Sequence, residues 1–97
     1  MKILAMEKDV PRAAGDRMRP YLQAEALRAW ELYQAGVFRE MYFTEDSNHN
    51  AVIIMECRDA GEALETLETL PLVKEGLIKF EVFALAPYSG FARLFAD

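Results

Sequence analysis

From Leu77 to Ala86 the chain reads Leu-Ile-Lys-Phe-Glu-Val-Phe-Ala-Leu-Ala, apolar on both faces that a strand would present. A strand with one wet side alternates apolar and polar residues, so this pattern predicts burial on both sides. The same two-sided pattern recurs in Val37-Phe38, in Met41-Tyr42-Phe43 and in Val52-Ile53-Ile54-Met55. Strands are therefore predicted over 2–7, 37–45, 50–57 and 77–86, with 46–49 as the turn of a hairpin. Two helical periods separate them. Leu22, Ala26, Ala29, Trp30 and Tyr33 recur at steps of three and four, after a loop at 10–15 rich in breakers. Asp16 is the expected N-cap, Pro20 falls in the opening turn, and Gly36 closes the helix where a left-handed residue is wanted. Asp59 with Glu62 three residues on predicts a capping box for the second helix, whose stripe is Ala60, Ala63, Leu64 and Leu67. Pro71 ends it by pushing Leu70 out of the helical region.

The order βαββαβ predicts an α+β, ferredoxin-like domain spanning 1–97, a four-stranded antiparallel sheet with two helices on one face. Such a sheet leaves its second face bare, yet these strands supply apolar residues to it. The expected cover is a second copy of the same sheet, giving a dimeric α+β barrel or a higher homo-oligomer. Tyr88, Phe91, Leu94 and Phe95 carry too much apolar surface for a free terminus, and their spacing places them along one side of a helical turn. Docking on the partner subunit is the expectation for this tail, packing within its own chain the alternative.

Composition sharpens the picture. A chain of 97 residues buries only roughly 60–65 % of its unfolded surface, whereas 53 % of this one is hydrophobic. The excess points to a partner subunit or an apolar ligand. A net charge of −5 argues against nucleic acid, and no apolar run is long enough for a membrane span. Met1 to Met6 meets Glu7-Lys8-Asp9 too early for a signal-peptide core. With Cys57 as the single cysteine, no internal disulfide forms, and a reduced, cytoplasmic setting is expected.

Three stretches carry a resemblance. Gln34-Ala35-Gly36-Val37-Phe38-Arg39, Ala63-Leu64 with Thr69-Leu70-Pro71-Leu72, and Ile78-Lys79-Phe80-Glu81-Val82 leading to Ala86-Pro87 resemble the muconolactone isomerases. The Leu-Pro-Leu corner followed by the last strand is the most specific of these, and the likeness runs over most of the chain from the first helix onward. It implies a cofactor-free enzyme that shifts a proton, and with it a double bond, in an unsaturated lactone of aromatic catabolism. The second strand departs from the family's, with Glu40 and Tyr42 where that family carries a His and a Trp.

The residues themselves offer little standard chemistry. No Gly-rich phosphate loop, Cys/His metal spacing or Ser-His-Asp set is present, since His49 is the only histidine and falls in the predicted turn. Cys57, without a histidine partner, reads as a small buried hydrophobe rather than a nucleophile. The strand carboxylates say more. A proton shift needs a base, and a desolvated carboxylate with a raised pKa suits it. Glu7, Glu40 and Glu56 lie in strands that otherwise bury both faces, and Arg39 offers a planar anchor for an acidic substrate. A four-residue turn pairs Glu45 with Asn50 and so sets Arg39 opposite Glu56 as an ion pair. A one-residue slip would instead oppose Glu40 to Glu56, and one carboxyl of such a pair would keep its proton. In the unslipped register Glu40 shares an apolar face with Phe38 and Tyr42, which makes Glu40 the expected base. Trp30 and Tyr33 read either as core or as walls of a pocket between helix and sheet, where Tyr33 or Tyr42 would donate to a carbonyl oxygen.

The expectation is an isomerase acting on a small apolar or acidic molecule without cofactor or metal. Glu40, Arg39 and Tyr42 are its expected catalytic residues, with Trp30, Tyr33, Glu56 and Glu7 around the substrate. The alternatives are a cofactor-free monooxygenase of the same barrel, acting on a polycyclic phenol, and a non-catalytic small-molecule-binding dimer.

Overall fold

The computed structural model describes residues 1–8, 10 and 15–96. Pro11 to Ala14, most of the expected first loop, lie outside the described residues, as do Asp9 and Asp97. Four strands form one antiparallel sheet: β1 (Lys2–Lys8), β2 (Phe38–Phe43), β3 (Ala51–Glu56) and β4 (Lys79–Ala84), in the order β2-β3-β1-β4. This is the ferredoxin-like α+β arrangement expected from the pattern. β1 sits at the centre, with Ile3 opposite Met55 on one side and Ala84 on the other.

The first helical region is more broken than the periodicity predicts. A short helix α1 (Gly15–Met18) runs into a 3-10 turn at Arg19–Tyr21, and the long helix α2 spans Leu22–Gln34. Pro20 is the physical reason, since it lacks the N–H that a continuous α-helix would use. Asp16 is thus not the N-cap of α2 but lies inside α1, where it meets Arg19 at 3.3 Å. At the other end Gly36 takes φ +79°, the left-handed conformation expected after a helix.

The second helix, α3 (Ala60–Leu67), follows its local code closely. Asp59 Oδ1 accepts from the Glu62 N–H at 2.8 Å, and Glu62 Oε1 accepts in return from the Arg58 N–H at 3.0 Å. Leu70 is extended (φ −73°, ψ 129°), as a residue before proline should be, and Pro71 then opens a further turn, α4 (Pro71–Lys74), which the pattern does not predict.

One face of the sheet carries the helices. Ile3, Ala5, Phe38, Ile53 and Met55 are buried there against Leu32 of α2 and against Ala63, Leu67 and Leu70. Cys57 is buried in the same cluster; burial first, then the charges of Glu62 and Glu56, pushes its thiol pKa up, as suits a small hydrophobe. Leu72, Leu77 and Ile78 form a small second cluster, so Ile78 is core and not part of the bare face.

Among the described residues no helix packs on the opposite face. Cross-strand partners share a face, which places Leu4, Met6, Tyr42, Val52, Ile54 and Phe83 together on it. Met6, Tyr42 and Phe83 are exposed. Charge lies around this apolar patch, including the Lys8–Glu81 pair at 3.0 Å. The last sheet bond, Leu85 N–H to Lys2 O, leaves the tail free of the sheet. It ends in a 3-10 turn at Gly90–Leu94 with no buried residue, and the Tyr88 and Phe91 rings meet edge to face. Extents of 60 × 29 × 20 Å fit a body with a projecting arm.

Candidate functional site

Helix α2 touches the sheet through its C-terminal half. Leu32 is buried and Ala29 packs on the core, whereas Leu22 and Ala26 remain exposed although their side of the helix faces the sheet. The gap between the raised half of α2 and the strands is a cavity of about 680 Å³. That lies within the roughly 300–1,000 Å³ usual for small-molecule sites. Ala29, Trp30 and Tyr33 form its helical wall, and Met41, Phe43, Ala51 and Ile53 its floor. Leu70, Leu72, Ile78 and Phe80 close the far end. The Trp30 and Tyr33 rings stack on each other with centroids 5.8 Å apart. Both side chains are half exposed, so they form a rim and not a core.

Two carboxylates break this apolar surface. Glu7 points inward from β1, alternating with Ile3 and Ala5, and its Oε1 accepts from the Ala51 N–H at 2.9 Å. Glu25 comes from α2, and its Oε1 accepts from the Leu72 N–H at 2.9 Å. Burial pushes the Glu25 carboxyl pKa up; the Leu72 N–H pulls it back, and the charge of Glu7 adds to the rise. The net shift is upward. Desolvation wins because a single hydrogen bond replaces less than water supplied.

His49 sits at the mouth. Asp46 organises its loop, with Oδ1 accepting from Thr44 Oγ1 (2.9 Å), Asn48 N–H (3.0 Å) and His49 N–H (3.1 Å). These bonds, the Thr44 hydroxyl foremost, hold the Asp46 pKa below the usual carboxylate range. His49 takes φ 51° to close the turn, and its ring stacks on Phe43 at 4.1 Å. It is an exposed loop residue, as expected, but one that also lines the cavity.

Of the residues singled out in the sequence, the structure brings Glu7, Trp30 and Tyr33 to this cavity. Glu56, opposite Lys2, alternates with the inward Met55 and lies on the other face. Glu40 and Tyr42 are not at the cavity either, because the β2–β3 register is neither of the two expected. Thr44 N–H bonds to Asn50 O, leaving a five-residue loop, so that Glu40 pairs with Ile54 and Tyr42 with Val52. A bulge then inserts Arg39 between Phe38, opposite Met55, and Glu40. The bulge puts Phe38 and Tyr42 on opposite faces and sends Glu40 with Tyr42 to the outer one. There the Tyr42 hydroxyl donates to Glu40 Oε1 at 2.7 Å, which raises the tyrosine's own pKa.

The expected Arg39–Glu56 pair does not form. Arg39 Nε donates back to the carbonyl of Gly36. Glu56 pairs with the Met1 ammonium at 2.7 Å, the main cause of its lowered pKa.

Glu25 is the residue that sequence reasoning missed. Its signal was present, for it lies three residues after Leu22 and four before Ala29, inside the apolar stripe. An acidic residue near a helix start reads as a favourable dipole charge, and that reading hid it.

Neither a protein-family model nor a curated protein matches the sequence. Solved structures do match its fold. The 5-chloro-2-hydroxyhydroquinone dehydrochlorinase of Burkholderia phenoliruptrix, solved with 2,5-dihydroxybenzoquinone, superposes with a TM-score of 0.71 at 19 % identity, covering 93 % of this chain and 98 % of the other. Muconolactone isomerase superposes equally well, with a TM-score of 0.71 at 16 % identity and 92 % of both chains covered. The chain has the muconolactone isomerase fold. The resemblance drawn from Leu70-Pro71-Leu72 and the last strand is borne out at that level. Among the described residues no helix is long and apolar enough to cross a membrane.

Proposed function

We propose that the protein is an enzyme that moves a proton within a small unsaturated ring bound between α2 and the sheet, with Glu25 as the base. The observation that carries this reading is a half-buried carboxylate in a mostly apolar cavity, its pKa pushed up by burial. A base whose conjugate acid has a pKa nearer neutrality takes a proton from carbon more readily than a solvated carboxylate does, and returns it as readily. Glu25 would remove a proton next to a carbonyl, the double bond would shift as charge moves to oxygen, and the Glu25 carboxyl, able to trade its proton with solvent, would return a proton at the far end of the conjugated system. Tyr33, about two turns further along α2 on the same wall, would donate to the developing oxyanion. The base expected at Glu40 moves to Glu25, because Glu40 lies on the other face.

The fold neighbours support this class of chemistry. One is named an isomerase of muconolactone and the other a dehydrochlorinase of 5-chloro-2-hydroxyhydroquinone, and both names are compatible with proton removal by a positioned base. Aromatic catabolism is accordingly the setting we infer.

The test is solvent deuterium exchange, followed by NMR, into a panel of unsaturated lactones and hydroxylated rings. Exchange should require the protein and should be lost in Glu25→Gln, while Glu40→Gln retains it. The rate should rise with pH through the raised pKa of Glu25. Equal exchange in Glu25→Gln would remove the base and with it this reading.

A further inference from the structure

We infer that the cavity selects an uncharged ring bearing hydroxyl groups and rejects rings bearing a carboxylate. This rests on the proposal that the α2–sheet cavity is the ligand site, and it narrows what that site accepts. Glu7 and Glu25 enter the cavity from opposite walls, one from β1 and one from α2. Each has Oε1 committed to a backbone N–H, that of Ala51 or that of Leu72. Each Oε2 remains as an acceptor on a residue that lines the cavity, so a ligand that supplies donors suits both. Among the described residues the lining carries no Lys or Arg, and Arg39, the expected anion anchor, folds back on Gly36 instead.

A carboxylate ligand would therefore add a third negative group to a mostly apolar enclosure whose described lining offers no Lys or Arg as counter-charge. The same Coulombic effect that makes Glu7 raise the pKa of Glu25 would oppose it. A hydroxylated ring meets both requirements at once. Its hydroxyls donate to the free carboxyl oxygens, and its faces lie between the Trp30–Tyr33 rim and the Met41–Phe43 floor. An organic cation would satisfy the charge but would lose its hydration in a cavity walled mostly by aliphatic side chains.

The experiment is calorimetric titration at pH 7 with three probes on one ring: 4-methylcatechol, 3,4-dihydroxybenzoate and 3,4-dihydroxybenzylamine. The neutral probe should bind best. The benzoate should bind at least about tenfold more weakly, a difference of about 1.4 kcal/mol, and should recover as pH falls and Glu25 takes up a proton. In the Glu7→Gln, Glu25→Gln double variant the gap between the neutral and anionic probes should close. The amide oxygens keep the bonds to Ala51 and Leu72, and the melting temperature verifies the fold. Preference for the benzoate, preference for the amine, or no binding of any probe would each overturn the inference. The outcome is separable from the catalytic reading. An anionic substrate turned over in a Glu25-dependent way would leave the base standing and sink the charge selection, whereas neutral-ring binding without Glu25-dependent exchange would do the reverse.

Discussion

Truncation after Pro87 removes a segment whose four large apolar side chains are all mostly exposed. Tyr88, Phe91, Leu94 and Phe95 keep 71, 67, 75 and 84 % of their surfaces exposed. Side chains of this size offer about 150–250 Å² each, so roughly 500–600 Å² of surface stays open on every tail. Covering half of it on a partner subunit would contribute about 7 kcal/mol at about 25 cal/mol per Å². Ordering four side chains and the segment that carries them would take back about half. The net, about 3 kcal/mol per tail, corresponds to a weakening of dimer association by a factor on the order of 100 or more. Sedimentation or mass photometry across a nanomolar-to-micromolar series should show it, together with a melting temperature that falls and depends more steeply on concentration. A truncated protein as dimeric as the full chain at nanomolar concentration would refute the reasoning, and so would a full chain that is monomeric throughout the series.

Four further outcomes follow from particular positions. Phe83→Asp places an unpaired charge beside Leu4 on the uncovered face and should dissociate the subunits at a cost of several kcal/mol, read by sedimentation; an undisturbed dimer would mean that this face is not the interface. Glu25→Gln should leave stability at pH 7 unchanged or higher: the folded pKa of Glu25 lies above its unfolded value, so the native protein loses stability as pH rises through that window, and the variant should lose this dependence in urea titrations. Asp59→Ala removes the acceptor of the Glu62 N–H and should cost about 1 kcal/mol in the same assay. Gly36→Ala forces a Cβ into φ +79° and should cost about 1–2 kcal/mol although the nearest atoms leave room, which isolates backbone strain from crowding.

What could be read from the sequence was written in local chemistry. The Asp59 cap, the Leu70-Pro71 corner, the turn at Gly36 and the two-sided strands each depend on a few neighbouring residues, and together they fix the order of elements. The site depended on a hydrogen-bond count across two strands. Asp46 gathers the Asn48 and His49 amides and Thr44 closes on Asn50, so the loop is one residue longer than the turn signal suggests. The bulge at Arg39 then shifts the pairing again, with no glycine at that position to announce it. Glu40 and Tyr42 changed faces for these reasons, not because their chemistry was misjudged. Glu25 was legible as an intruder in the stripe of α2, but only a cavity beneath that stripe gives the intrusion a use.

The bulge also bears on how such a site could diversify. Strand β2 holds two alternating sets, Met41 with Phe43 and Glu40 with Tyr42, and one extra residue after Phe38 decides which set faces α2. If Phe38 kept its partner and the ladder ran on without the bulge, Glu40 and Tyr42 would turn toward the cavity and Met41 and Phe43 toward the bare face. A single frame step would then exchange an oily floor for an acid and a phenol, with no substitution at any of the four positions. A register step along this strand is therefore a route to new pocket chemistry that needs no point mutation, and one that changes the bare face in the same event.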